Sequence, residues 1–145
     1  MNEQEPFNLD RFVTAQAPLF DTVMAELTSG RKRSHWMWFI FPQLRGLGRS
    51  PLAIHYGIAS LEEARAYLGH ALLGPRLLQA TEMVLESPAP SLNAMLGSPD
   101  DIKFRSSMTL FAMASGEAQT PFATALDHWC DGQKDEATLA LLDGQ

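Results

Sequence analysis

Residues 31–51 read RKRSHWMWFIFPQLRGLGRSP, and the conformation of residues 35–41 within them decides the fold class. The unbroken apolar run at 36–41 suits a buried strand as well as a buried helical turn. A strand, however, must pass its backbone N–H and C=O groups to a neighbour, and one isolated strand has no partner in this chain. The expectation is an all-α fold, a bundle of six to eight short helices around an irregular central segment.

Helix punctuation on both sides supports that reading. Asn8 or Asp10 is a candidate cap for a first helix with Phe12 and Val13 inside, and Pro18 closes it or opens the next. Leu19, Val23, Met24 and Leu27 then recur at helical spacing until Gly30. Ser60 and Glu63 have capping-box form. Gly74-Pro75 starts a helix that stops before Pro88, and a short turn spans 91–96. Ser98-Pro99-Asp100-Asp101 places a cap, a first-position proline and two acids at the positive end of a helix running to Ser115. Thr120-Pro121 opens another helix, and a last one covers 136–142.

The chain has 145 residues, 46% of them hydrophobic and 19% charged. That size and composition support one independently folded domain, here 1–145 with residues 1–7 expected to be flexible. One cysteine, Cys130, allows no internal disulfide and fits a reducing compartment. The start carries no signal-peptide pattern, and a six-residue apolar run is far short of the ~20 of a membrane helix. The expectation is a cytoplasmic protein without a membrane partner.

Charge is segregated. The net charge is −6, yet no Asp or Glu lies between Leu27 and Leu61, where Arg31, Lys32, Arg33, Arg45 and Arg49 leave the remainder at −11. Two readings of this segment stand. In one, its aromatic residues are core and its cations are solvated. In the other it lines an anion site: Arg31, Arg33, Arg45 and Arg49 hold phosphate or carboxylate, Trp36 or Trp38 stacks on a flat ring, and His35 or Gln43 hydrogen-bonds. Gly46-Leu-Gly48 can present backbone N–H groups to an anion, but it matches neither a P-loop nor a dinucleotide fingerprint.

A second group is Lys103, Arg105, Ser106, Ser107 and Thr109 on one helix, facing the same pocket in the site reading. In the alternative reading their hydroxyls bond backbone carbonyls. A serine nucleophile activated by Lys103 lacks any surrounding signature. The four histidines have no zinc spacing. Asp127, His128 and Asp131 read as a solvated helix end, and Cys130 as a packed small hydrophobe. No metal or cofactor is implied.

Five stretches carry a resemblance: FNLDRFVTAQ (7–16), GRKRSHWMWFIFPQLRGLGRSP (30–51), YGIASLEEARAYLGHALLGPRL (56–77), DDIKFRSSMTLF (100–111) and DHWCDGQKDEATLALL (127–142). They resemble a bacterial domain family of unknown function whose members are often labelled calpastatin. The resemblance implies a small helical domain and brings no activity, cofactor or catalytic residue. Calpain inhibition is rejected on physical grounds, because calpastatin segments are disordered whereas this composition supports a core. A weaker similarity runs to the NADAR group, which cleaves N-glycosidic bonds in phosphorylated nucleotide-like metabolites. It shares only an order: a helix like 62–68, the Lys103-Phe104 helix, and a Trp129 to Gly132 end.

Two functional expectations follow. The first is binding of an anionic, phosphorylated or nucleotide-like metabolite between residues 31–49 and the Lys103 helix, with N-glycosidic or hydrolytic chemistry as one version. The second is a protein-interaction module using the basic 31–49 patch, including self-association against the acidic remainder. Nucleic acid is disfavoured, since a five-charge cluster on an acidic protein gives little affinity at physiological salt.

Overall fold

The computed structural model describes residues 7–117 and 119–145. Among them the elements run α1 Asp10–Gln16, α2 Phe20–Ser29, α3 Met37–Ile40, α4 Pro51–His55, α5 Leu61–Gly69, α6 Leu73–Leu85, α7 Leu92–Leu96, α8 Asp100–Ser115, α9 Pro121–Cys130 and α10 Glu136–Asp143. The described residues form an all-α fold without a strand. Ten helices replace six to eight because the central segment condenses into α3 and α4, of four and five residues. Residues 35–41 are therefore not a strand but contain a single helical turn. The nearest approach to a sheet is one isolated parallel bridge between Leu44 and Ile58. There the Arg45 N–H donates to the Ile58 carbonyl at 2.7 Å and the Ile58 N–H to the Gln43 carbonyl at 3.0 Å.

Caps set most boundaries. Ser50, Ser60, Ser91, Thr120 and Asp135 each accept a backbone N–H three residues on, starting α4, α5, α7, α9 and α10; each such bond is worth about 1 kcal/mol. Gly30 and Gly116 end α2 and α8 in the left-handed region, at φ of 80° and 71°. Two starts depart from the sequence reading. Neither Asn8 nor Asp10 caps α1, where Leu9 holds the cap position with no side-chain bond. Instead Arg11 folds back to donate to the Phe7 and Asn8 carbonyls at 2.6 and 2.9 Å. At α8, Pro99 occupies the cap position rather than the first helical one.

Helix α8 is the hub, packed against α3, α5, α7, α9 and α10. It buries Phe104, Ser106, Ser107, Met108, Thr109, Leu110, Phe111 and Ala114, residues on every side of it. A helix surrounded in this way has no polar stripe. Its hydroxyls turn inward: Ser106 donates to the Ile102 carbonyl at 3.2 Å and Thr109 to the Arg105 carbonyl at 2.8 Å. Ring contacts run through the core from Phe12 to Tyr67 (5.1 Å), Tyr67 to Phe111 (5.3 Å), and Phe41 to Phe104 (5.0 Å). Phe7 packs on the same core, while residues 1–6 of the expected flexible start lie outside the described residues. No described helix is long and apolar enough to cross a membrane.

Candidate functional site

The central segment is organised by a residue outside it. Glu26, on the inner face of α2 and 9% exposed, accepts from the backbone N–H groups of Arg33 and Ser34 at 2.8 and 3.0 Å. It also accepts from the Ser34 hydroxyl at 2.5 Å and the Trp36 indole N–H at 2.9 Å. Burial by itself would raise its pKa, but the bonds from Ser34, Arg33 and Trp36 outweigh that and lower it from 4.5 to about 2. A carboxylate with this many donors stays ionised.

This anchor sorts residues 31–36 into two rows. Lys32, Ser34 and Trp36 turn inward: the Lys32 ammonium lies 2.9 Å from Asp100 and 5.1 Å from the Trp36 ring, and Ser34 and Trp36 reach Glu26. Arg31, Arg33 and His35 are exposed, as alternation along an extended stretch requires. None of the three has a side-chain partner among the described residues. Trp38, half-buried at the start of α3, carries the Lys103 ammonium 4.8 Å above its ring. Lys103 also lies 3.7 Å from Asp100. The site reading of this stretch thus keeps a basic row, one partly open indole and Lys103 of α8.

The remaining candidates lie elsewhere. Trp36 is 0% exposed, so it presents no face for stacking and belongs to the core. Ser106 is 4% exposed and bonded to its own helix, which removes it as a ligand donor. Gln43 joins the Leu44–Ile58 bridge through its carbonyl. Arg45 donates to the Ile54 and Gly57 carbonyls at 3.1 and 3.0 Å, bracing α4 on a separate face. Arg49 is exposed just before α4.

Arg105 leaves α8 about 200° around the helix from Lys103. Its guanidinium lies 3.9 Å from Asp135, and its Nε is buried without a hydrogen-bond partner among the described residues. It walls a cavity of about 640 Å³ with Gln133, Lys134 and Asp135, and a smaller one of about 280 Å³ with Asn93, Trp129 and Cys130. Burial raises the Cys130 thiol pKa, Arg105 opposes this, and Asp131 and Asp101 add to it. The basic row and Arg105 do not share a cleft.

Two residues that organise this region were not singled out from the sequence. For Glu26 a signal existed: one acid among Val23 and Leu27 on an inward helix face, just before an acid-free basic stretch. Arg11 gave none. Its side chain, 7% exposed, pairs with Glu63 at 2.7 Å and donates to the His55 and Gly57 carbonyls, tying α1 to the end of α4.

Taken together, the described residues define a small all-α domain whose buried carboxylate displays a row of unpaired basic side chains. The chain belongs to the family described as "Protein of unknown function (DUF1810)", whose model matches residues 6–142. It is similar to the conserved hypothetical protein Rv1873 from Mycobacterium tuberculosis, known from a crystal structure at 1.38 Å, with 55% sequence identity and a TM-score of 0.93. That likeness covers 96% of this chain and 99% of the mycobacterial one. No curated protein matches the chain.

Proposed function

We propose that the protein binds a phosphorylated or otherwise anionic small molecule along the Arg31–Arg33–His35 row, next to Trp38 and Lys103. One observation carries the reading: the inward row is paired with Glu26 and Asp100, whereas the outward cations have no partner among the described residues. Guanidinium groups recognise phosphate and carboxylate through paired N–H donors. The exposed part of the Trp38 ring offers a flat apolar neighbour for a base or sugar.

The proposal is one of binding rather than turnover. Glu26 is saturated with donors and Asp100 sits between Lys32 and Lys103. Neither carboxylate is free to act as a general acid or base beside the row.

A thermal-shift series at low salt tests it, using inorganic phosphate, pyrophosphate, sugar phosphates and ADP-ribose. A ligand at 100 times its Kd adds about 2.7 kcal/mol, which raises Tm by several degrees in a domain of this size. The expected shift disappears in Arg33→Ala and shrinks in Lys103→Ala. A flat series, or a shift that both variants retain, defeats the proposal.

A further inference from the structure

Arg105 has more hydrogen-bond donors than the protein uses. No described residue accepts a hydrogen bond from its guanidinium: Asp135 stands 3.9 Å from Nη2, and Nε is buried without a partner. Asp135 does not close that gap, because it is pinned from both sides. Its Oδ2 caps α10, accepting from the Thr138 backbone N–H at 3.0 Å and the Thr138 hydroxyl at 2.6 Å. Its own N–H donates to the Thr109 hydroxyl at 2.9 Å, and that hydroxyl donates to the Arg105 carbonyl at 2.8 Å. The acid therefore balances the charge of Arg105 while leaving its N–H fork unspent. Unspent donors at a partly buried position favour the arrival of an acceptor.

The guanidinium walls the cavity of about 640 Å³, within the range of roughly 300–1,000 Å³ typical of small-molecule sites. Lys134 and Glu136, both exposed, bring one charge of each sign to its edge, and Ala137 and Leu139 give it an apolar side. The charges around it cancel, Arg105 and Lys134 against Asp135 and Glu136. A phosphate dianion gains no net attraction there. A ligand that itself carries both signs does, when each end meets its opposite.

We infer that this cavity binds a free aliphatic α-amino acid. The carboxylate takes the donors of Arg105 in the planar, two-bond geometry that a guanidinium offers, with Lys134 adding charge. The ammonium faces Glu136, and the side chain lies along Ala137 and Leu139. The site shares no residue with the Arg31–Arg33–His35 row, Trp38 or Lys103, so it stands or falls independently of the anion-binding proposal.

Amide NMR shifts of isotope-labelled protein titrated with L-leucine are the test. Saturable shifts are expected at Lys134, Ala137 and Leu139, with Arg33 and Trp38 unmoved. Acetate, which lacks the ammonium, and isobutylamine, which lacks the carboxylate, shift the same amides more weakly. Arg105→Gln weakens leucine by about tenfold or more, the worth of a hydrogen bond to a charged group. Its helical content should stay that of the wild type, since Arg105 has no hydrogen bond within the described protein to lose. Glu136→Gln, at an exposed position, weakens leucine several-fold and leaves acetate unchanged. No shift at about 10 mM leucine, enough to fill most of any site of millimolar Kd, overturns the inference. So does leucine binding that Arg105→Gln leaves intact, or a Glu136→Gln variant that binds leucine as the wild type does.

Discussion

The indole N–H of Trp36 donates to Glu26 Oε1 at 2.9 Å from within the core, so the acid that displays the basic row is also fastened to the hydrophobic interior. Removing that acceptor strands several donors at once, each costing about 1–3 kcal/mol when buried. Glu26→Ala is expected to cost at least about 3 kcal/mol in denaturant unfolding, and Glu26→Gln less, because one acceptor oxygen remains. A loss below about 1 kcal/mol for the alanine variant would refute the anchor role.

The same carboxylate makes stability pH-dependent. Its pKa is lower in the folded chain, about 2 against an ordinary 4.5. The contribution is therefore fully present above pH about 4.5 and is lost as pH falls toward about 2. The stability gap between wild type and Glu26→Gln should narrow over that window, as followed by urea unfolding at successive pH values. A constant gap from pH 7 to pH 3 would show that Glu26 does not supply the effect.

Gly74 reverses an ordinary rule. Within a helix, Gly→Ala usually stabilises by about 1 kcal/mol. Here a methyl group at Gly74 would run into the backbone carbonyl oxygen of Leu68, where α6 starts close against the end of α5. Gly74→Ala should instead destabilise, by about 2 kcal/mol. Gly69, whose added Cβ meets nothing within 4 Å, is the control expected to tolerate alanine. A more stable Gly74→Ala variant would contradict the packing.

Ser107 is 0% exposed, and its hydroxyl has no hydrogen-bond partner among the described residues. Burying an unpaired hydroxyl costs about 1–3 kcal/mol, so Ser107→Ala should be neutral or more stable, with Tm the measurement. Ser106→Ala removes a bonded hydroxyl and should not gain. A clear loss in Ser107→Ala would mean that this hydroxyl has a partner.

Arg11 and Glu63 form a second buried charged unit, with side chains 7% and 3% exposed. Breaking such a pair from one side costs about 3–5 kcal/mol, because the surviving charge is left buried. Glu63→Ala also strands the Ala59 N–H, which now donates to Glu63 at 2.9 Å. It should destabilise by that amount, and Arg11→Ala by a comparable one. A double variant costing less than the sum of the two would measure their coupling; strict additivity would show that there is none.

The helices were legible where local chemistry decides them. Ser60, Ser91, Thr120, Gly30 and Gly116 act as caps and stops because one side chain or one glycine suffices for the task. That residues 35–41 would not form a strand followed from the lack of a partner, but the segment was expected to be irregular, and neither α3 nor α4 could be read, since each is held by contacts made elsewhere. The basic row was visible as composition, but its sorting was not. Whether Lys32 or Arg33 faces outward depends on Glu26 and Asp100, which are distant enough that only the folded chain brings them close. The expected meeting of Arg105 with Lys103 failed on helical geometry: residues two apart face nearly opposite sides. Trp36 and Trp38 share composition and spacing, yet Glu26 draws one inward and leaves the other at the surface.

The all-round burial of α8 bears on how the molecule comes apart. With α3, α5, α7, α9 and α10 laid against it, its backbone amides reach solvent only when several neighbours detach together. Amide exchange in α8 should therefore report the global unfolding free energy, while α4 exchanges through local opening. A protease that meets the native protein would find its first foothold at the rim, around α4, and the hub last of all.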